Sequence, residues 1–259
     1  MAFPNLGATQ PARDMRNTGQ PRPRDDGRFW HLAGGRGGGR LAPASERSPH
    51  RPPNLYPASS SLKRLVDIVA GLALLIALLP AMLIVGLLVK RDGGPLLFRH
   101  KRIGANGQMF DCLKFRTMCP DAEARLNKLL ESDAEARQSW EKDFKLKVDP
   151  RVTPLGRILR RTSLDELPQL VNVIRGDMSL VGPRPIVSAE ALRYGPAFRD
   201  YLGCRPGLTG VWQISGRNDV DYETRVQMDT SYARSWSLSW DIYILIRTAG
   251  IVFRRTGAY

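Results

Sequence analysis

Two adjacent carboxylates, Asp165 and Glu166, lie within Ser163-Leu164-Asp165-Glu166-Leu167-Pro168. A carboxylate is ionised at neutral pH and needs no general base to act as a nucleophile on phosphorus. Its neighbour can hold a divalent cation that shields the two anions from each other. The plain alternatives are a solvated acidic pair, or a capping box with Ser163 as N-cap and Glu166 three residues on. Pro168 weakens the box, because in a helix capped at Ser163 its missing N–H would break an internal bond. Pro168 is comfortable if the helix starts at Asp165 or later. Both carboxylates then sit at the helix mouth, where free N–H groups and the dipole favour anions.

Two further groups of residues suit anions. Gly182-Pro183-Arg184-Pro185 fixes the backbone on both sides of one arginine, and a pre-set guanidinium is a bidentate clamp for phosphate. A rigid turn with an exposed arginine has the same sequence. Arg205-Pro206-Gly207-Leu208-Thr209-Gly210 and Gly216-Arg217-Asn218 are Gly-rich and Arg-bearing. Such loops wrap nucleotide diphosphates, and they also serve as simple strand connections. No Walker loop, Rossmann fingerprint or metal-binding His cluster is present. Cys112, Cys119 and Cys204 are odd in number and scattered, which fits a reducing compartment rather than a disulfide framework or zinc site.

These groups need elements to position them. The chain has 259 residues and a net charge of +14, a balance that calls for a polyanionic partner such as phosphorylated substrates, anionic lipid or nucleic acid. Residues 1–60 contain no apolar signal segment and read as a disordered basic tail, rich in Pro, Gly, Arg and Ser. Residues 61–92 form the membrane element. From 68 to 89 no charged or strongly polar side chain occurs, about 33 Å as a helix, enough to cross a bilayer core. Pro80 interrupts it near the middle, and basic residues flank both ends, so the positive-inside rule gives no orientation. A kinked span and a re-entrant hairpin hinged at Pro80 both satisfy these residues.

Residues 93–259 read as a mixed domain. Stretches 96–99 and 109–116 suit short strands around a turn at 104–107. Residues 121–147 suit a charged amphipathic helix with Leu126, Leu129 and Leu130 inward. Thr153-Pro154 marks a helix start that places Arg157, Arg160 and Arg161 on one face. Residues 236–255 mix Trp, Tyr and Arg with aliphatics. Asp241 and Arg247 make that stretch a poor span, and it suits a helix lying in the membrane interface or an ordinary amphipathic core helix.

Together these pieces resemble the bacterial sugar transferase family, the monotopic phosphoglycosyl transferases. The resemblance runs from about Lys63 to Tyr259. It is carried by Lys63-Arg64 before the apolar segment with Pro80, by Lys114-Phe115-Arg116-Thr117-Met118, and by the 163–168 motif. Gly176-Asp177-Met178-Ser179-Leu180-Val181-Gly182-Pro183-Arg184-Pro185 and the two Arg-bearing loops complete it. The ending Arg-Thr-Gly-Ala-Tyr is similar to that of the exopolysaccharide-initiating members.

The resemblance implies an α+β fold: a re-entrant membrane helical hairpin followed by a small, mainly helical cytosolic domain with interfacial helices. It implies transfer of a sugar-1-phosphate from a UDP-sugar to undecaprenyl phosphate with release of UMP. Asp165 is then the nucleophile of a covalent aspartyl-phosphosugar intermediate, and Glu166 is its partner and the ligand of Mg²⁺. Lys114, Arg160, Arg184, Arg205 and Arg217 match substrate-binding positions, and Pro80 matches the membrane hinge. Leu79 stands where some members place Ser. The implied location is the bacterial inner membrane with the catalytic domain on its cytoplasmic face. The implied partners are the two substrates and the bilayer, with a homodimer and downstream glycosyltransferases as further candidates and no nucleic acid. The competing readings are a membrane-tethered nucleic-acid-binding or adaptor protein, and a glycosyltransferase that releases UDP.

Overall fold

The computed structural model describes residues 56–143, 146, 149–215 and 220–254. The basic tail lies outside the described residues except for its last part, where the expected boundary moves. Tyr56 is 6% exposed and donates to the Asp200 carboxylate at 2.8 Å, so packed structure has begun by Tyr56 and not after 60.

Helix α1, Ser61–Lys90, starts at Ser60, whose hydroxyl accepts from the Lys63 N–H, and ends in the turn at Gly93, with φ of +79°. Leu65, Val69, Ile76, Leu83 and Leu87 are exposed, and only 11% of its most apolar stretch is buried. By length and composition it can cross a membrane. The helix is continuous through Pro80, which is exposed, rather than divided there into two arms.

Both ends of α1 are fastened to the rest of the chain, by different means. At the start, buried Lys63 donates to the Val181 carbonyl at 3.0 Å and to Asp241 at 2.6 Å. Arg64 donates to the carbonyls of Val173 and Ile174, both at 2.6 Å. Asp67 accepts from the Ser179 hydroxyl and the Leu180 N–H, each at 3.0 Å. The far end is held by apolar packing of Val85 and Val89 with Phe115 and Leu159. There Arg116 also bonds the Val89 carbonyl and pairs with Asp92.

Strands β1, Leu97–Ile103, and β2, Met109–Phe115, form an antiparallel hairpin with Phe98 opposite Lys114, His100 opposite Cys112 and Arg102 opposite Phe110. The stretch expected as one helix over 121–147 is two, α2 at Ala122–Ser132 and α3 at Ala134–Asp143. Asp133 leaves the helical conformation and caps α3 by accepting from the Ala136 N–H at 2.9 Å, a local bond that a short acidic side chain offers in competition with the helix. Leu126, Leu129 and Leu130 are half-buried.

Helix α4, Pro154–Thr162, is capped by Thr153 as its sequence predicts, with the Gly156 N–H donating to Oγ1 at 2.9 Å. It lies hard against the chain leaving β2, because a Cβ on Gly156 would come within 2.0 Å of the Thr117 carbonyl oxygen. Helix α5, Gln169–Arg175, ends at Gly176, where φ of +98° suits only glycine well. Strand β3, Ser179–Val181, pairs in parallel with β4, Gly207–Thr209. Between them lie α6, Ser188–Tyr194, and α7, Phe198–Leu202; after them come α8, Val211–Ile214, α9, Tyr222–Ser235, and α10, Leu238–Arg254. The main core joins α5, β3, α9 and α10 through Leu170, Val173, Met178, Val181, Tyr232 and Ile244. In α10, Asp241 is buried against Lys63, while Ile242, Tyr243 and Ile246 are exposed.

Candidate active site

The carboxylates lie in a tight turn between two helices. Ser163 closes α4 in the left-handed region, φ +57°, and Leu164–Glu166 forms one turn of 3₁₀ helix before α5. The capping box is absent, since the Ser163 side chain makes no cap bond. Pro168 immediately precedes α5, where its lack of an N–H costs no helical bond, as the sequence requires.

Asn172 of α5 sets this turn against β2. Its carbonyl accepts from the Leu113 N–H at 3.0 Å and its amide donates to the Asp111 carbonyl at 2.9 Å, so its side chain completes the open edge of the strand. Lys114 therefore arrives beside the turn and donates to Glu166 Oε1 at 2.6 Å. Arg160 approaches from α4, fixed by a bond from Nε to the Thr117 hydroxyl at 2.9 Å.

Asp165 is 8% exposed. Burial pushes its carboxyl up to about 6; Lys114 and Arg160 oppose the rise and Glu166 adds to it. The group is thus ionised at neutral pH but poorly solvated, with Lys114 and Arg160 near enough to favour its charge. A buried carboxylate with basic groups nearby can act as a nucleophile toward an anionic phosphorus centre.

Arg184 belongs to a different cluster. Its guanidinium lies 5.2 Å from the Trp212 ring centroid, and that of Arg225 lies 4.6 Å from the same ring. Arg102 joins them through a bond to the Pro185 carbonyl at 3.0 Å. The two clusters are connected, because Phe98, His100 and Arg102 alternate on the hairpin face that carries Cys112 and Lys114.

Arg205 is placed elsewhere. It donates to the carbonyls of Gly176 at 3.1 Å and Ala58 at 2.8 Å, fastening the end of α5 to the stretch just before α1. The glycines of its motif serve backbone contact: a Cβ on Gly207 would meet the Gly182 nitrogen at 2.1 Å. Of the two readings of this loop, the strand connection is the one the structure forms. Arg217 and its Gly-Arg-Asn motif lie outside the described residues. Pro80 is in α1, a separate element from the carboxylate turn.

The sequence pattern of the bacterial sugar transferases matches residues 58–255. The chain belongs to this family. The chain is 54% identical over 202 residues to the undecaprenyl-phosphate galactose phosphotransferase of Salmonella typhimurium, an alignment covering 78% of the chain and 42% of that relative. It is 50% identical over 206 residues to the exopolysaccharide production protein ExoY of Sinorhizobium fredii, covering 79% of the chain and 91% of ExoY. It is 39% identical over 207 residues to the UDP-glucose:undecaprenyl-phosphate glucose-1-phosphate transferase of Escherichia coli, covering 76% and 41%. The chain spans less than half the length of the first and third of these relatives.

Sequence reasoning passed over Trp212 and Arg225, and the structuring roles of Asn172 and Thr117. Trp212 and Arg225 are far from Arg184 in the chain and carry no motif signal of their own. Asn172 had one: a polar residue between Val171 and Val173 in an otherwise apolar stretch.

Proposed function

We propose that the chain transfers a sugar-1-phosphate from a UDP-sugar to undecaprenyl phosphate, releasing UMP, and so starts exopolysaccharide or related glycoconjugate assembly. The observation that carries this reading is the buried Asp165 carboxylate, within electrostatic reach of Lys114 and Arg160, in a chain of this family. Asp165 attacks the sugar-linked phosphorus of the donor. The bond from that phosphorus to the bridging oxygen breaks, and UMP leaves with the electron pair. An aspartyl phosphosugar remains. A phosphate oxygen of the polyprenyl acceptor then attacks the same phosphorus, and the Asp165 carboxylate departs, ready for the next donor. Lys114 and Arg160 offset the charge of the assembled phosphates.

Mg²⁺ binds through one or two carboxylates and completes its shell with substrate phosphate oxygens and water. Among the described residues no group of three acidic, His or Cys side chains is placed to hold a metal. Asp165 and Glu166, with Lys114 bonded to one Glu166 oxygen, fit an ion that arrives with the donor phosphates. When bound it supplies further charge neutralisation at those phosphates.

The acceptor requires a membrane. We read α1 as dipping into the bilayer from one side, bent at Pro80 without a break in the helix, with the catalytic domain on the cytoplasmic face of the inner membrane. Support comes from the two ends of α1, since Lys63 and Val89 both pack on the same domain. Labelling of the two flanks from opposite sides would sink this topology.

The reaction is tested by its products. Incubation with a panel of UDP-sugars and polyprenyl phosphate is expected to yield UMP, and donor alone to leave a phosphosugar on Asp165 detectable by mass spectrometry. Release of UDP, or single-displacement kinetics without the adduct, overturns the reading.

A further inference from the structure

Arg184 and Arg225 place two guanidinium groups on one indole, and neither Nε has a hydrogen-bond partner, although both atoms are buried. Trp212 is 6% exposed and its own Nε1–H is likewise unpartnered, as is Gln213 Oε1 beside it. Charge here is out of balance. Burial and the Arg184 charge hold both Arg225 and Arg102 below the usual arginine range. Of the two nearby carboxylates, Glu190 is 3.6 Å from Arg102. The other, Asp229, is fully buried; it accepts from the Tyr194 hydroxyl at 2.8 Å, and its pKa is pushed up to about 7, so it neutralises only part of the cluster. Desolvated cations and buried N–H groups without acceptors are costly unless an anion completes them.

We infer that Arg225, together with Arg184 and Trp212, forms the subsite for the nucleoside-monophosphate half of the donor, the half that leaves. This rests on the proposed reaction. The position suits that half. Lys114 marks the reacting end of the hairpin face, and Arg102 lies four residues further along β1 from its partner Phe98, about 13 Å at the usual strand rise. The face between them carries His100, whose Nδ1 is 3.1 Å from Arg102. A nucleotide joined to the phosphorus at Asp165 runs along this line. The chemistry suits it too. Planar guanidinium groups bind phosphate bidentately and stack on flat aromatic systems, including nucleobases. The acceptor's isoprenoid tail fits poorly here, since the cluster is polar and most exposed aliphatic side chains lie on α1 and α10.

The test uses the full-length enzyme in lipid nanodiscs and the probes UMP, uridine and inorganic phosphate. Wild type is expected to bind UMP well above uridine. Arg225→Ala is expected to weaken UMP at least tenfold, to shrink its preference for UMP over uridine, and to raise KM for the UDP-sugar, with KM for polyprenyl phosphate unchanged. Arg225→Lys keeps the charge but loses the planar fork, and is expected to recover only part of the UMP affinity. Trp212→Phe provides a second variant should Arg225→Ala fail to fold, judged by circular dichroism; it is expected to weaken UMP with the acceptor KM unchanged. Unchanged UMP affinity in a folded variant, equal losses for UMP and acceptor, or full recovery with Lys overturns the inference while leaving the reaction intact. Release of UDP by wild type, or no adduct on Asp165, marks failure of the reaction itself.

Discussion

The molecule holds two lysine–carboxylate pairs of equal length and opposite use. Lys63–Asp241 and Lys114–Glu166 are each 2.6 Å, but the side chains are 3% and 5% exposed in the first and 30% and 37% in the second. The first is closed. Asp241 also accepts from the Tyr232 hydroxyl at 2.7 Å and the Trp236 indole at 2.9 Å, and Lys63 bonds the Val181 carbonyl. Every strong group there has a partner within the protein, so nothing is left for a ligand. The second is open, with an underused carboxylate on one side and the crowded, buried Asp165 on the other. A short ion pair says little by itself; the count of unmet partners around it separates a fastening from a reactive site.

The comparison breaks most sharply at the proposed nucleophile, Asp165. Asp165→Asn keeps the shape and removes the attacking charge, so sugar-phosphate transfer is expected to fall on the order of 10⁴-fold or more, with the adduct absent by mass spectrometry. Retained transfer would assign the chemistry elsewhere. Exchanging the lysines is the next test. Lys63→Met leaves Asp241 buried without its cation and is expected to cost about 3–5 kcal/mol in denaturant unfolding. Lys114→Met affects a half-exposed pair worth about 0–1 kcal/mol to folding. Its expected effect is instead on turnover, about 10²-fold. If both variants lose stability equally, the distinction between the pairs fails.

The pH dependence sharpens it further. The Asp165 carboxyl is raised by burial to about 6, above its ordinary value of 3.8, so protonation is easier in the folded chain than in the unfolded one. Its contribution to stability is greatest below about 4 and is lost as pH rises toward 6. Above pH 6 the ionised group costs about 1–3 kcal/mol, a cost that Asp165→Asn removes, so the inactive variant is expected to melt higher at pH 7. In wild type, kcat/KM is expected to fall about tenfold per pH unit below 6 as the nucleophile is protonated. The smallest effect on turnover is expected from Asn172→Ala, which strands the Leu113 N–H and costs about 1–3 kcal/mol of stability. Because that bond sets Lys114 beside Glu166, turnover should decline with it, and less than in Lys114→Met.

Much of the candidate site was legible where chemistry follows local spacing. Pro168 fixed where a helix could begin, Thr153-Pro154 marked α4, and the adjacent carboxylates stood out beside them. The long α1 was legible from composition alone. What escaped reading depends on contacts distant in sequence. Asp241 looked like an obstacle to membrane insertion because its cation, Lys63, lies at the other end of the chain. An arginine among glycines and proline, such as Arg205, gives no sign that it also reaches the carbonyls of Gly176 and Ala58. The break at Asp133 was hidden by helix-forming residues on both sides, which outweigh one capping aspartate in any pattern of periodicity.

The grip of Arg64 on the last carbonyls of α5 bears on how deletions should be interpreted. That short helix has the Asp165 turn at its other end, so the long apolar helix α1 and the proposed nucleophile share one rigid strut. Shortening the protein from its N-terminus past Arg64 removes a clamp as well as an anchor. A truncated enzyme that loses activity in detergent, where no bilayer is needed for attachment, would be reporting the loosened strut and not the missing membrane.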